Sequence, residues 1–211
     1  MRAIVTGANR GIGLALVTAL AARGDRVTGT ARATPPRVPG VTWRQVDLTD
    51  PPSLAALAAK DSAPLDLLVC NAGVLLDRTT GPLADRWAET LAVNVTGVAL
   101  TVEAMLPALR AAKGKIAIIG SKMGSATLAP GGHLLYRASK AAALNLGRNL
   151  AADLAGMGIA VGIYHPGWVQ TDMGSAGADI TPQASAAGLI VRFDALTLAN
   201  TGCFENWEGT A

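Results

Sequence analysis

Thr6-Gly7-Ala8-Asn9-Arg10-Gly11-Ile12-Gly13 follows the apolar run Ala3–Thr6 and leads into Ile12–Arg23, where apolar residues recur at helical spacing. A glycine-rich turn between a strand and a helix lets backbone N–H groups approach a pyrophosphate. The helix start beyond it offers unpaired donors and the positive end of the helix dipole. The spacing is Gly-x-x-x-Gly-x-Gly, not Gly-x-Gly-x-x-Gly. The strand–turn–helix setting, more than the glycines themselves, therefore carries the reading of a dinucleotide site.

Outward from that stretch the same alternation continues. Ala3–Thr6, Val27–Thr30, Thr42–Val46, Leu65–Cys70, Lys115–Gly120 and Ile159–Tyr164 read as strands. Ile12–Arg23, Ser53–Lys60, Leu83–Ala112 and Leu134–Met157 read as helices, the last after the turn signal Pro130-Gly131-Gly132. Helix-length crossovers imply parallel strands with helices on both faces. Right-handed crossovers then leave a Rossmann-type doubly wound α/β sheet as the simplest topology. A (β/α)₈ barrel would need about 250 residues, and this chain has 211, with no repeat or linker to divide it, so residues 1–211 are expected to form one dinucleotide-binding domain. Pro35, Pro36 and Pro39 mark a loop, Gly174–Thr181 marks another, and Gly202-Cys203-Phe204 suggests a short last edge strand.

Composition narrows the class. Half of the residues are hydrophobic and 16% are charged, which excludes intrinsic disorder. The net charge is +3 and the basic residues are scattered, which argues against nucleic acid as a partner. No apolar run approaches the roughly 18 residues of a membrane span, and Met1 and a charge precede the first strand directly, so a cytoplasmic protein without a signal peptide or membrane partner is expected. Cys70 and Cys203 suggest neither a disulfide framework nor a metal cluster, and a reducing compartment follows. His133 and His165 lack ligand spacing, so no metal is expected. Both read first as loop or packing residues, with His133 near enough to the helix start to reach a pocket rim.

The second chemical signal is Tyr136-Arg137-Ala138-Ser139-Lys140 in the long helix. Residues four apart share a helix face, so the phenol and the ammonium project together. The ammonium favours the phenolate and burial opposes it; acid–base catalysis is expected to need the lysine's effect to win.

With its companions in order, this pair resembles the short-chain dehydrogenase/reductase family. Asn71-Ala72-Gly73 closes the fourth strand and Val93-Asn94-Val95-Thr96-Gly97 lies in the next helix. Ser121 ends the fifth strand, and Pro166-Gly167-Trp168-Val169-Gln170-Thr171 follows the sixth. The wording around Gly120–Ser125, Tyr136–Lys140 and His165–Thr171 is most similar to the C-factor and carbonyl-reductase-like branch.

The resemblance implies an NAD(P)-dependent oxidoreductase that reduces a small, largely apolar aldehyde or ketone, or oxidises the alcohol, by direct hydride transfer. Tyr136 would be the general acid, Ser121 would hydrogen-bond the carbonyl oxygen, Lys140 would tune Tyr136 and hold the nicotinamide ribose, and Asn94 would seat a water behind Lys140. Gly7, Asn9, Arg10, Gly11, Ile12 and Gly13 would line the pyrophosphate side. Arg32, Asp47, Leu48, Asn71, Ala72 and Gly73 would line the adenosine side, and Pro166, Gly167, Val169 and Thr171 the nicotinamide. Ser121 stands 15 positions before Tyr136 where many relatives have about 13, and Ser125 is the alternative serine. Ala31 stands where NAD-preferring relatives carry an acid, Arg32 follows it immediately and Arg10 stands in the glycine loop before Gly11, so NADPH/NADP+ is expected over NADH, the two arginines clamping a 2′-phosphate.

Met123, Leu128, Trp168 and Met173 are candidate apolar pocket residues. Gly174–Thr181 is short where relatives carry a covering loop, so an open pocket is expected. A homodimer or homotetramer through Leu83–Ala112 and Leu134–Met157, or a monomer, fits the family. The competing class is a dinucleotide-binding regulatory or signalling protein of C-factor type with little turnover. An extended epimerase or dehydratase would need a larger C-terminal region.

Overall fold

The computed structural model describes residues 1–175 and 177–210; Ala176, inside the expected Gly174–Thr181 loop, lies outside them. The strands are β1 (Arg2–Val5), β2 (Arg26–Ala31), β3 (Val41–Gln45), β4 (Leu67–Cys70), β5 (Lys115–Ile119), β6 (Ala160–His165) and β7 (Phe204–Asn206). The helices are α1 (Gly11–Ala22), α2 (Pro51–Lys60), α3 (Leu83–Leu91), α4 (Gly97–Ala112), α5 (Leu134–Ala155) and α6 (Pro182–Ala195). One seven-stranded sheet runs β3-β2-β1-β4-β5-β6-β7, parallel throughout.

Alternation along the strands feeds two cores. On one face Leu68 and Cys70 of β4 with Ile116 and Ile118 of β5 meet Leu54 and Leu57 of α2, Val102, Met105 and Leu109 of α4, and Leu154 of α5. On the other, Leu67 and Val69 with Ala117 and Ile119 meet Leu16 and Leu20 of α1 and Leu189 and Phe193 of α6. Burial on both faces explains why these strands read as continuous apolar runs. The chain winds outward from β1 to β3, then returns to β4 on the other side of β1. A crevice therefore opens above the C-terminal ends of β1 and β4, the place where doubly wound sheets bind ligands.

Two elements differ from the sequence reading. Leu83–Ala112 is helical throughout and by length and composition alone could cross a membrane. Its Val98, Val102, Met105 and Leu109 are nevertheless packed into the core, and a π turn at Ala92–Thr96 divides it into α3 and α4. Helix α6 was not expected. Thr181 caps it, its hydroxyl accepting from the Ala184 N–H at 3.2 Å, Pro182 opens its first turn, and Ala186, Leu189 and Phe193 carry it onto the sheet.

Candidate active site

The glycine turn keeps its shape by backbone geometry and by clamps from β4. Gly7 and Gly11 sit at φ 61° and 54°, where L side chains are strained. A Cβ on Gly13 would collide with the Gly7 carbonyl oxygen and the Asn71 amide. Asn71 donates from Nδ2 to the carbonyls of Thr6 (2.9 Å) and Gly7 (3.1 Å), while the Thr6 hydroxyl accepts from the N–H groups of Asn71 (3.0 Å) and Ala72 (3.1 Å). Helix α1 begins at Arg10 with no side-chain cap and no acid in its first turn. Its donors are left for an anion, so the cradle fits a dinucleotide pyrophosphate.

The reacting group candidates converge from β5, α5 and the π turn. Ser121 ends β5 and opens a 3₁₀ turn at Lys122–Gly124, its Oγ accepting from the Met123 N–H at 3.1 Å, which leaves the hydroxyl proton to be donated. Gly124 lets that turn lie against α5, because a Cβ there would stand 2.6 Å from the Lys140 carbonyl carbon. This contact brings Ser121 beside Tyr136. Lys140 is buried below, its Nζ donating to the Ile119 carbonyl at 2.8 Å and lying 5.6 Å from the centre of the Tyr136 ring.

Burial pushes the Tyr136 phenol up to about 12, with the Ser121 hydrogen bond pulling the other way. Burial also drives Lys140 down to about 8. Desolvation is the larger of the two influences on the phenol, so the lowering that acid–base catalysis needs has to come from the Lys140 ammonium 5.6 Å from its ring.

A cleft of about 1240 Å³ gathers nearly all the residues singled out in the sequence. It is lined by Gly7, Asn9, Arg10, Gly11, Ile12, Gly13, Arg32, Asp47, Leu48, Asn71, Ala72, Gly73, Ser121, Tyr136, Lys140, Pro166, Gly167, Val169 and Thr171. Asn94 is buried behind this wall and not on it. Its Oδ1 accepts from the Val74 N–H (2.8 Å), and its Nδ2 donates to the Val74 carbonyl (2.9 Å) and the Ser139 hydroxyl (3.0 Å). Its amide protons are therefore already committed, and only oxygen atoms remain to meet a water. Ser125 is off the cleft, its Oγ accepting from the N–H groups of Thr127 and Leu128.

Other expectations are redistributed. Met123, Trp168 and Met173 line the cleft, while Leu128 is exposed and lies outside it. Gly174, Ser175 and Asp179 of the short loop reach the cleft wall, and a bridge from Val169 to Ile180 folds that loop back. Arg10 also lines the cleft, its exposed Nη1 pairing with Asp172 at 2.8 Å. Arg32, exposed after β2, remains beside Asp47. The Asp47 carboxyl is held below its usual range chiefly by Thr49, whose hydroxyl and N–H donate to it, with Arg32 adding to the effect.

His165, expected as a loop or packing residue, lines the cleft. Burial first and then Lys122 hold it down to about 4, so its ring is neutral. Asp77, which no sequence motif singles out, has a carboxylate that accepts from the N–H groups of Leu135 (2.9 Å) and Tyr136 (3.0 Å). No local sequence signal marks either role.

A parallel doubly wound sheet with a glycine-turn cradle at its switch point defines a Rossmann-type α/β protein. A family model described as short chain dehydrogenase matches residues 1–179. Over 189 residues the chain is 34% identical to the 3-oxoacyl-(acyl-carrier-protein) reductase FabG of Escherichia coli (strain K12), spanning 84% of this chain and 77% of that one. Over 154 residues it is 38% identical to the C-signal protein of Myxococcus xanthus, spanning 71% and 92%. Its fold matches the NADPH-bound carbonyl reductase from chicken fatty liver with a TM-score of 0.90 at 32% identity, covering 100% of this chain and 97% of that one. The chain belongs to the short-chain dehydrogenase family and is an oxidoreductase of that family.

Proposed function

We propose that this enzyme reduces the carbonyl of a small, largely apolar aldehyde or ketone, with NADPH as the hydride source and Tyr136 as the proton donor. The observation that carries this reading is the buried grouping of Ser121, Tyr136 and Lys140 on the wall of a cleft that also holds the glycine cradle. Bound across that cradle, the reduced nicotinamide supplies the hydride.

The chain's own residues supply the rest. The Ser121 hydroxyl, whose Oγ accepts from the Met123 N–H and which stands beside Tyr136, can turn its proton to a carbonyl oxygen placed there. The phenol is protonated near neutral pH and can donate to that oxygen, and the ammonium beside it eases the donation by favouring the phenolate. Lys140, still mostly charged at pH 7, steadies the developing phenolate. Met123, Trp168 and Met173 give apolar surface for the substrate body.

The preference for NADPH rests on Ala31 and Arg32 at the end of β2, where no carboxylate stands to repel a 2′-phosphate. A signalling role of the C-signal type needs the cradle but has no use for a proton donor beside it.

The test is a screen of carbonyl compounds with NADPH, followed by Tyr136→Phe. The variant is expected to lose about a hundredfold or more in kcat, with NADPH affinity unchanged, since the phenyl ring preserves the packing. Near-normal turnover by Tyr136→Phe on every accepted substrate would overturn the assignment.

A further inference from the structure

Helix α5, which carries Tyr136 and Lys140, starts without a cap of its own. His133 precedes it in the left-handed region at φ 52° and makes no side-chain cap. The N–H groups of its first turn have no intrahelical acceptors and would be orphaned. The acceptor comes from a loop 58 positions earlier in the chain, where the two oxygens of Asp77 divide the work: Oδ1 takes the Leu135 N–H at 2.9 Å and Oδ2 the Tyr136 N–H at 3.0 Å.

The other end of the Tyr136 peptide is also held. Its carbonyl accepts from the Ser139 hydroxyl at 2.8 Å, and Ser139 in turn accepts from Asn94 Nδ2 at 3.0 Å. Asn94 grips both the N–H and the carbonyl of Val74, three residues before Asp77. The contacts thus close a ring that runs from Val74 along the loop to Asp77, through the Tyr136 backbone to Ser139 and Asn94, and back to Val74. Ser139 and Asn94 are almost wholly buried, which shields these links from competing water.

We infer that Asp77 is the positioning residue for Tyr136: through this ring, the loop after β4 sets where the phenol stands relative to Ser121. A carboxylate on two N–H groups at a helix start makes charge-assisted hydrogen bonds of defined direction, aligned with the helix dipole. A two-point grip fixes rotation as well as distance, and a displacement of about 1 Å at a reacting group costs on the order of a hundredfold in rate. This rests on the reading of Tyr136 as the proton donor.

The experiment compares Asp77→Ala and Asp77→Asn with Asp50→Ala, which removes the ordinary cap of α2, where the Asp50 carboxylate accepts from the Ser53 N–H at 3.2 Å. The readouts are kcat, KM for the carbonyl, NADPH affinity by fluorescence, the solvent deuterium isotope effect on kcat, and the thermal midpoint. Asp77→Ala is expected to lower kcat by tenfold to a hundredfold and to enlarge the isotope effect, because proton donation becomes slower than the steps around it. Asp77→Asn, which keeps one acceptor oxygen, falls between it and the wild type, and NADPH affinity stays within twofold for both. Asp50→Ala loses a similar amount of thermal stability and keeps kcat within twofold. If Asp77→Ala does not fold, Asp77→Asn decides by the same readouts. The inference fails if kcat is unchanged, if its loss is matched by lost NADPH binding, or if the isotope effect does not move. Failure of the underlying reading shows separately, as turnover retained by Tyr136→Phe.

Discussion

At the residue scale, the two arginines that look equivalent in the sequence are not equivalent in space. Arg10 makes a largely exposed ion pair with Asp172, while Arg32 stands exposed beside Asp47. In the proposed NADPH complex a contact from Arg32 to the 2′-phosphate, as a hydrogen bond to a charged group, would contribute roughly 1.5–3 kcal/mol, about tenfold to a hundredfold in affinity. The Ala31→Asp, Arg32→Ala double variant is expected to lower the ratio of kcat/KM for NADPH over NADH by at least tenfold. Parallel steady-state assays with the two cofactors check it, and an unchanged ratio would reject Arg32 as the discriminating residue. The residues of the glycine turn and the Tyr136–Lys140 pair were legible because each depends on short spacing in the chain. Asp77 was not, because its partners lie 58 and 59 positions away and nothing in Leu76-Asp77-Arg78 distinguishes a distant cap from a surface aspartate.

At the element scale, the glycine turn is a packing solution as much as a binding one. Gly13 sits in the first turn of α1 against the Gly7 carbonyl and the Asn71 amide, so β1, α1 and β4 meet around an absent Cβ. Gly13→Ala is expected to destabilise the fold by about 1–3 kcal/mol through overpacking. It should also weaken NADPH binding by at least tenfold by shifting the turn. Urea unfolding and a fluorescence titration check the two effects, and a normal titration with normal stability would show that the turn tolerates a Cβ. Helix α6 carries the cue the glycine turn lacks, a Thr cap followed by proline, yet its apolar residues are mostly small and form no strong stripe. Only Leu189 and Phe193, fully buried under β5 and β6, reveal how it is held.

At the scale of the whole molecule, stability and activity pull on Lys140 in opposite directions. Its pKa is about 8 in the fold against 10.5 in the unfolded chain, so the unfolded state binds more protons between those values. The charge penalty is fully present below pH 8 and is relieved as pH rises above it. Cys70, raised to about 12 from 9.0, acts in reverse from pH 9 upward, as Tyr136 does from pH 10. Folding stability is therefore expected to rise from pH 8 to 9, level off while the Lys140 and Cys70 effects offset each other, and fall above pH 10, while turnover declines as the ammonium is lost. Lys140→Met is expected to be more stable than wild type at pH 7 and inactive; urea midpoints against pH check it, and a less stable variant would contradict the assigned cost. By itself the sequence determined the alternation of strands and helices, the crevice at the switch point and which short motifs meet there, since all of these depend on local periodicity and on the right-handed crossover. The tertiary structure alone decided how deeply the phenol is buried, where the two arginines stand and which carboxylate caps the helix that carries Tyr136. Desolvation and long-range hydrogen bonds depend on what surrounds a group in space, and that is set only when distant segments pack.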